Sequence, residues 1–329
     1  MTIYKLFGYV AFALFGLTLT SISVVKAANT CQLQYDNFAP LTQNISDAAD
    51  NIDMDSIEPS DVFKLTENLA RLMESGGVKI QHIEPILSIE EALPRTNLLL
   101  AYDIFLLSQL YNQQQLGLIS VPPQLAYPSD TVPAHVYQWV DATIRLWQCH
   151  WPSNVTNEDK PSSMSMQITP SEVYYLMTDI QSHLMQVIKP DLLRNFLVLR
   201  MLEVEFLLQD IVLSRGLRLI EDDEIESDSP STEQYMLDSL KLLSELNGQL
   251  YLSNKQLQRF DDPLMNLRFR VTTSALLAGE LLYFNIHNQS VELPPMLPIL
   301  NRQLSEEAMQ ARISRIYQML DTIIQNKEA

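Results

Sequence analysis

Residues 168–185 read ITPSEVYYLMTDIQSHLM, and residues 57–74 read IEPSDVFKLTENLARLME. Both stretches place proline, serine, an acidic residue, valine and an aromatic residue in succession, and both continue with apolar residues at every fourth position. Proline suits the first position of a helix, and an acidic residue two positions later can accept a hydrogen bond from the cap. The apolar spacing places one face of each helix in a core. The two stretches therefore predict helices that begin in the same way.

This helix start recurs elsewhere in the chain. Residues 133–147 open with proline, alanine, histidine, valine and tyrosine, so that histidine takes the acidic position. The segments VPPQL at 121–125 and LPPML at 293–297 lie 172 residues apart. That separation favours a duplication, with 59–149 repeated as 231–321. The alternative is that capped amphipathic helices resemble one another.

The composition favours helices over strands. The chain has 329 residues, of which 47% are hydrophobic and only 8 are glycine. Leucine, glutamine, methionine and glutamate are good helix formers, and no segment shows the alternation typical of a strand. We expect an all-α protein of about eight to ten helices, packed as antiparallel pairs in a helical repeat or bundle.

The chain divides into five segments by composition. Two of them carry clear local signals: an apolar start typical of export, and the acidic run EDDEIESDSP, which lacks apolar periodicity. The predicted segments are a signal peptide (1–27), a polar arm (28–56), a first helical repeat region (57–220), an acidic linker (221–230) and a second helical repeat region (231–325).

The first residues predict export. Lys5 precedes an apolar run at 6–19, and Val25 and Ala27 are small residues at the positions that signal peptidase reads. We expect cleavage after Ala27 and a periplasmic or secreted protein without an integral membrane segment. The alternative is an uncleaved anchor, for which the apolar run is short.

Two cysteines, Cys31 and Cys149, are present. In an oxidising compartment a cysteine pair favours a disulfide, and this one would close a long loop, a constraint of about 4 kcal/mol. The alternative is two separate buried thiols.

The net charge limits the classes of partner. The chain carries 40 acidic and 22 basic residues, a net charge of −18, and two of the basic residues lie within 1–27. Such a surface repels nucleic acid and anionic lipid. It is compatible with a cationic protein or peptide partner.

No motif indicates a metal, a cofactor or a catalytic nucleophile. The acidic runs lack the glycine of a calcium loop, no two of the five histidines lie four residues apart, and Gly-x-Ser-x-Gly is absent. We therefore predict no catalytic, cofactor-binding or metal-binding residue. His183 lies at the edge of an apolar stripe and is expected to be a partly buried structural histidine.

Several carboxylates interrupt the most apolar segments. Asp103, Glu203, Glu205 and Glu280 lie among leucines and phenylalanines, without the Glu-x-x-His pairs of a helix-bundle metal centre. Arg200 precedes Glu203 by three residues, a spacing at which side chains meet on one helix face. We interpret this as a local ion pair on an exposed stripe.

Five aromatic residues form a candidate binding face. They are Phe63, Tyr137, Trp139, Trp147 and Tyr174, which recur at or near the helix starts. Aromatic residues at helical spacing are usually core, and the functional alternative is a groove that receives a peptide.

These features predict an exported, non-catalytic helical scaffold or adaptor that binds another protein or a peptide. The first alternative is a helical-bundle sensor or carrier that holds a small ligand. The second is a cell-envelope hydrolase with an unfamiliar active site.

Overall fold

A computed structural model describes residues 56–83, 85, 87–89, 94–116, 126–127, 131–151, 168–218, 238, 241, 250–252, 266–287, 291–292 and 306–326. Helices dominate this part of the chain, which confirms the predicted all-α character. The helices are α1 (Pro59–Ser75), α2 (Pro94–Leu116), α3 (Pro133–His150), α4 (Pro170–Val187), α5 (Pro190–Ser214), α6 (Asn266–His287) and α7 (Glu306–Gln325). Four strands of two or three residues are β1 (Leu87–Ile89), β2 (Ala126–Tyr127), β3 (Leu250–Leu252) and β4 (Val291–Glu292).

The repeated helix start is a shared cap. In α1, α3 and α4 the residue two positions after the first proline reaches back to accept a hydrogen bond from the backbone N–H that precedes the helix. The bonds are Glu58 to Asp61 (3.1 Å), Val132 to His135 Nδ1 (3.1 Å) and Thr169 to Glu172 (2.7 Å). The histidine therefore does in α3 what an acidic residue does in the other two helices.

Helices α1 to α4 start at one end of the molecule and finish at the other. Their first prolines and the residues three positions later line one shared cleft. At the opposite end, the Tyr111 ring stacks on Trp147 with centroids 5.3 Å apart, and the Tyr111 hydroxyl donates to the Gly76 carbonyl oxygen over 3.3 Å. The Gln114 amide donates to the Val187 carbonyl oxygen over 3.0 Å. The four helices therefore run parallel.

This arrangement corrects the expected antiparallel pairing for the first four helices. Consecutive helices among them are separated by 16 to 19 residues. A connection of that length can span about 50 Å when extended, whereas the 23 residues of α2 rise about 35 Å. Each connection is thus long enough to return the chain to the starting end.

The remaining helices pack against this group. Helices α1 and α2 each contact both α3 and α4, while α5 packs against α6 and α7. Helix α6 also reaches α2 and α4. Two antiparallel strand pairs, β1 with β3 and β2 with β4, join connections in the first part of the chain to segments in the second.

The predicted segments are described only in part. Residues 1–27, most of the polar arm and the acidic linker lie outside the described residues. Helices α2 and α6 begin at residues 94 and 266, and α3 and α7 at 133 and 306, close to the 172-residue separation in the sequence. The duplication stays a prediction, because the helix expected from residue 231 lies almost wholly outside the description.

Candidate functional site

Helix α5 has its polarity inverted. Leu202, Phe206 and Leu213 are 38%, 46% and 54% exposed, whereas Arg200 and Glu203 are 1% and 5% exposed. A surface helix normally presents its apolar side to the core and its charges to water. The helix therefore has two unusual faces, one on the outside and one inside.

The outer face is an apolar strip. Leu202, Phe206 and Leu213 lie four and seven residues apart, which puts them within about 40° of one another around the helix. Exposed Gln209 occupies the intervening turn. We call the three apolar residues the outer strip. It extends for about 16 Å along α5, a length that matches three turns of a second helix.

The inner face carries a buried ion-pair network. The Arg200 guanidinium contacts Asp103 from α2 (Nε to Oδ1, 2.9 Å), Glu280 from α6 (Nη2 to Oε1, 2.6 Å) and Glu203 from its own helix. The same guanidinium lies over the Tyr102 ring, 5.5 Å from the centroid. We call Asp103, Arg200, Glu203 and Glu280 the charged cluster. It joins three helices inside the protein.

Burial controls the ionisation of the charged cluster. Loss of hydration raises the pKa of Asp103 and of Glu203, and the Arg200 charge opposes both shifts. Burial raises the pKa of Glu280 to about 8, because desolvation and the neighbouring carboxylates outweigh Arg200. The Gln181 amide donates to the second Asp103 oxygen over 3.0 Å and favours its ionised form. Glu280 therefore carries a proton at neutral pH.

A second ion pair fixes α5 to α7. The Glu205 carboxylate accepts a hydrogen bond from Arg312 over 2.7 Å and lies 3.8 Å from Arg315. Glu205 is 7% exposed, so this pair is largely desolvated. Helix α5 is thus held by charge on two sides while its outer strip faces solvent.

The cleft at the helix starts offers little room. Its lining residues are Pro59, Val62, Pro94, Asn97, Pro133, Val136, Pro170 and Val173. It encloses about 220 Å³ counting space open to solvent, and its floor has room for about one water molecule. The Asn97 amide donates to the Pro170 carbonyl oxygen over 2.9 Å, and its own oxygen is buried without a partner in the described part of the chain. This cleft suits a bound water better than a metabolite.

The five aromatic residues predicted as a binding face do not share an exposed surface. Trp139, Trp147 and Tyr174 are buried in the core, and Phe63 and Tyr137 are partly buried against it. The Tyr174 hydroxyl donates to the Leu87 carbonyl oxygen over 2.9 Å. Their placement matches the core alternative, and their repetition reflects the repeated packing of helix starts.

His183 is a structural residue, as the sequence predicted. Its Nε2 atom lies 2.8 Å from both the amide nitrogen and the carbonyl oxygen of Gln81. One turn earlier, Asp179 accepts a hydrogen bond from the Ile83 N–H over 2.8 Å and contacts His82. Helix α4 therefore anchors the segment that follows α1. The disulfide prediction is not tested, because Cys31 and the Cys149 side chain lie outside the described residues.

The Arg200–Glu203 pair corrects one interpretation of the sequence. The two residues do form an ion pair, but they are buried rather than on an exposed stripe. Both sides of α5 carry apolar residues, so the sequence pattern could not decide which side faces the core. The convergence of Asp103 and Glu280 on Arg200 had no local signal, since the three residues are far apart in the chain.

The described residues contain no group of three or more histidine, cysteine, aspartate or glutamate side chains arranged to hold a metal ion. Within the same ranges, every helix is too short or too polar to cross a membrane. No protein-family model matches the chain, and comparison with curated proteins and with solved structures returned no match. The all-α fold and the two faces of α5 are therefore the basis for assigning a function.

Proposed function

We propose that this protein is an exported, non-catalytic helical binding protein, and that α5 receives an amphipathic helix of a partner protein on its outer strip. The observation that carries the proposal is the exposure of three large apolar side chains on a helix whose charges are buried. Exposed apolar residues at helical spacing are typical of surfaces that pack a second helix.

The charge of the chain indicates the kind of partner. A net charge of −18 attracts cationic segments at moderate ionic strength and repels acidic ones. A partner helix with an apolar stripe and lysine or arginine along its edges fits both the outer strip and the overall charge. Attraction would speed association, and apolar contact would stabilise the complex.

Neither alternative function has a comparable feature. A ligand carrier needs an enclosed cavity, and the cleft at the helix starts holds about one water molecule. A hydrolase needs titratable groups that open onto a substrate site, whereas the charged cluster is buried. A binding surface therefore explains more of the structure.

The test uses a designed peptide helix with leucines on one face and lysines elsewhere. We expect it to bind the full-length protein, and Leu202→Gln with Phe206→Gln to weaken binding at least tenfold. The matched control is Val132→Gln, which removes an apolar side chain of similar exposure (40%) outside α5. Fluorescence anisotropy of the labelled peptide measures each dissociation constant.

A second peptide, with every lysine replaced by glutamate, tests the charge argument and should bind more weakly. Equal loss of binding in the Val132→Gln variant would contradict the role of the outer strip. So would an unchanged dissociation constant in the double glutamine variant. A concentration-dependent dimer that the double variant abolishes would show that the strip binds a second copy instead of a partner helix.

A further inference from the structure

Three carboxyl groups share one guanidinium in the charged cluster. Asp103 comes from α2, Arg200 and Glu203 from α5, and Glu280 from α6, and each side chain is at most 6% exposed. The cluster lies where α6 contacts both α2 and α5. Any movement of these helices relative to one another must therefore expose or rearrange the cluster.

Full ionisation of such a cluster is unfavourable. An ionised carboxylate loses its hydration on burial, and like charges at short distance add a further penalty. One guanidinium can compensate for one carboxylate, whereas here it contacts three. Retention of a proton by one carboxyl group relieves both penalties.

Glu280 is the group best placed to retain the proton. Its side chain is fully buried, and burial raises its pKa to about 8. The groups that face it are Arg200 and Glu203 from α5 and Asp103 from α2, and these appear in its electrostatic environment. Helix α4 contributes Gln181, an amide that does not titrate, through its bond to Asp103.

We propose that the charged cluster is a proton-operated latch, which holds a proton on Glu280 while α2, α5 and α6 are packed together and releases it to solvent when they separate. Ionisation of Glu280 and separation of the helices favour each other. The latch is independent of the proposed binding function, because it concerns contacts inside the protein.

The direction of the pH dependence follows from the raised pKa. Between 4.5, the value for an ordinary glutamate, and about 8, the packed state binds more protons at Glu280 than the separated state does. The packed state therefore loses stability as pH rises through this window. Each pH unit can change the unfolding equilibrium constant by up to about tenfold for one proton. Above about 8 the effect of this group is complete.

The first experiment is urea unfolding of the full chain between pH 5 and pH 9. Glu280→Gln keeps the size and one hydrogen-bonding oxygen but cannot ionise. We expect the wild-type protein to lose stability with rising pH by up to about tenfold per unit relative to this variant. Glu67→Gln, which changes an exposed glutamate of α1, is the matched control and should follow the wild-type profile.

The second experiment detects the proton directly. Infrared spectra of the folded wild-type protein at pH 6 should show the carbonyl band of a protonated carboxylic acid, and that band should disappear toward pH 9. Glu280→Gln should lack it. Identical pH profiles for wild type and Glu280→Gln, or no protonated carboxyl band at pH 6, would overturn the latch. The wild-type spectrum decides the question even if the variant does not fold.

Discussion

Arg200 holds the charged cluster together, since its guanidinium contacts all three carboxyl groups. Arg200→Met keeps an apolar stem of similar length but removes the positive charge. We expect a loss of about 3–5 kcal/mol in the free energy of unfolding at pH 8, because buried carboxylates are left without their partner. The loss should be smaller at pH 5, where protonation neutralises the carboxyl groups. Urea denaturation followed by circular dichroism measures both values.

The control for this change is Lys64→Met on α1. The Lys64 ammonium lies 3.9 Å from the Asp61 carboxylate, and the lysine side chain is 57% exposed. Surface pairs of this kind contribute little, so the change should stay within about 0.5 kcal/mol at both pH values. Similar losses for Arg200→Met and Lys64→Met would contradict the importance of burial.

The cap of α4 allows a second test with a single residue. The Glu172 carboxylate accepts hydrogen bonds from the Thr169 N–H over 2.7 Å and from the Thr169 hydroxyl over 3.1 Å. Glu172→Ala removes both bonds, and we expect it to lower the free energy of unfolding by about 0.5–1 kcal/mol. Ser171→Ala, one position earlier, is the comparison. Thermal denaturation should rank Glu172→Ala as the less stable of the two, and the reverse order would be inconsistent with the cap.

At the scale of the helices, α5 and α6 approach closely at Gly279. A methyl group added there would lie 2.8 Å from Val204 Cγ1, and Val204 is fully buried. We expect Gly279→Ala to destabilise the protein by about 1–3 kcal/mol through this clash. Val204→Ala creates the space that the new methyl group needs. The double variant should therefore be more stable than the sum of the two single losses predicts, as measured by a double-mutant cycle of urea denaturation. Strict additivity would mean that the two residues do not compete for this space.

The helix starts were predictable because a cap is local. Proline, the N-terminal residue and the side chain that bonds to it lie within four consecutive positions, as in 169–172. The direction of packing was not predictable, since connections of 16 to 19 residues allow either a parallel or an antiparallel neighbour. The charged cluster was hidden for a different reason. Helix α5 is apolar on both sides, and only the three-dimensional structure shows that its buried side is the one that contains Arg200.

At the scale of the whole molecule, parallel packing and the inverted helix have a common consequence. Helices α1 to α4 form one group, and α5 connects that group to α6 and α7 through contacts that are both apolar and ionic. The outer strip and the charged cluster lie on opposite sides of the same helix. A change in the packing of α5 would therefore alter the orientation of the surface proposed to bind a partner.

Export and the disulfide are tested together on the mature protein. We expect a bacterial host to remove residues 1–27, so that N-terminal sequencing begins at Ala28, and an intact mass lower by two hydrogens than the mass with free thiols. Reduction should then lower the free energy of unfolding by up to about 4 kcal/mol, because a bond between Cys31 and Cys149 constrains the unfolded chain. Cys31→Ser is the matched control and should be insensitive to reductant. An N-terminus at Met1 would contradict cleavage of the signal peptide. Two free thiols in the exported protein would contradict the disulfide without affecting the fold of the described helices.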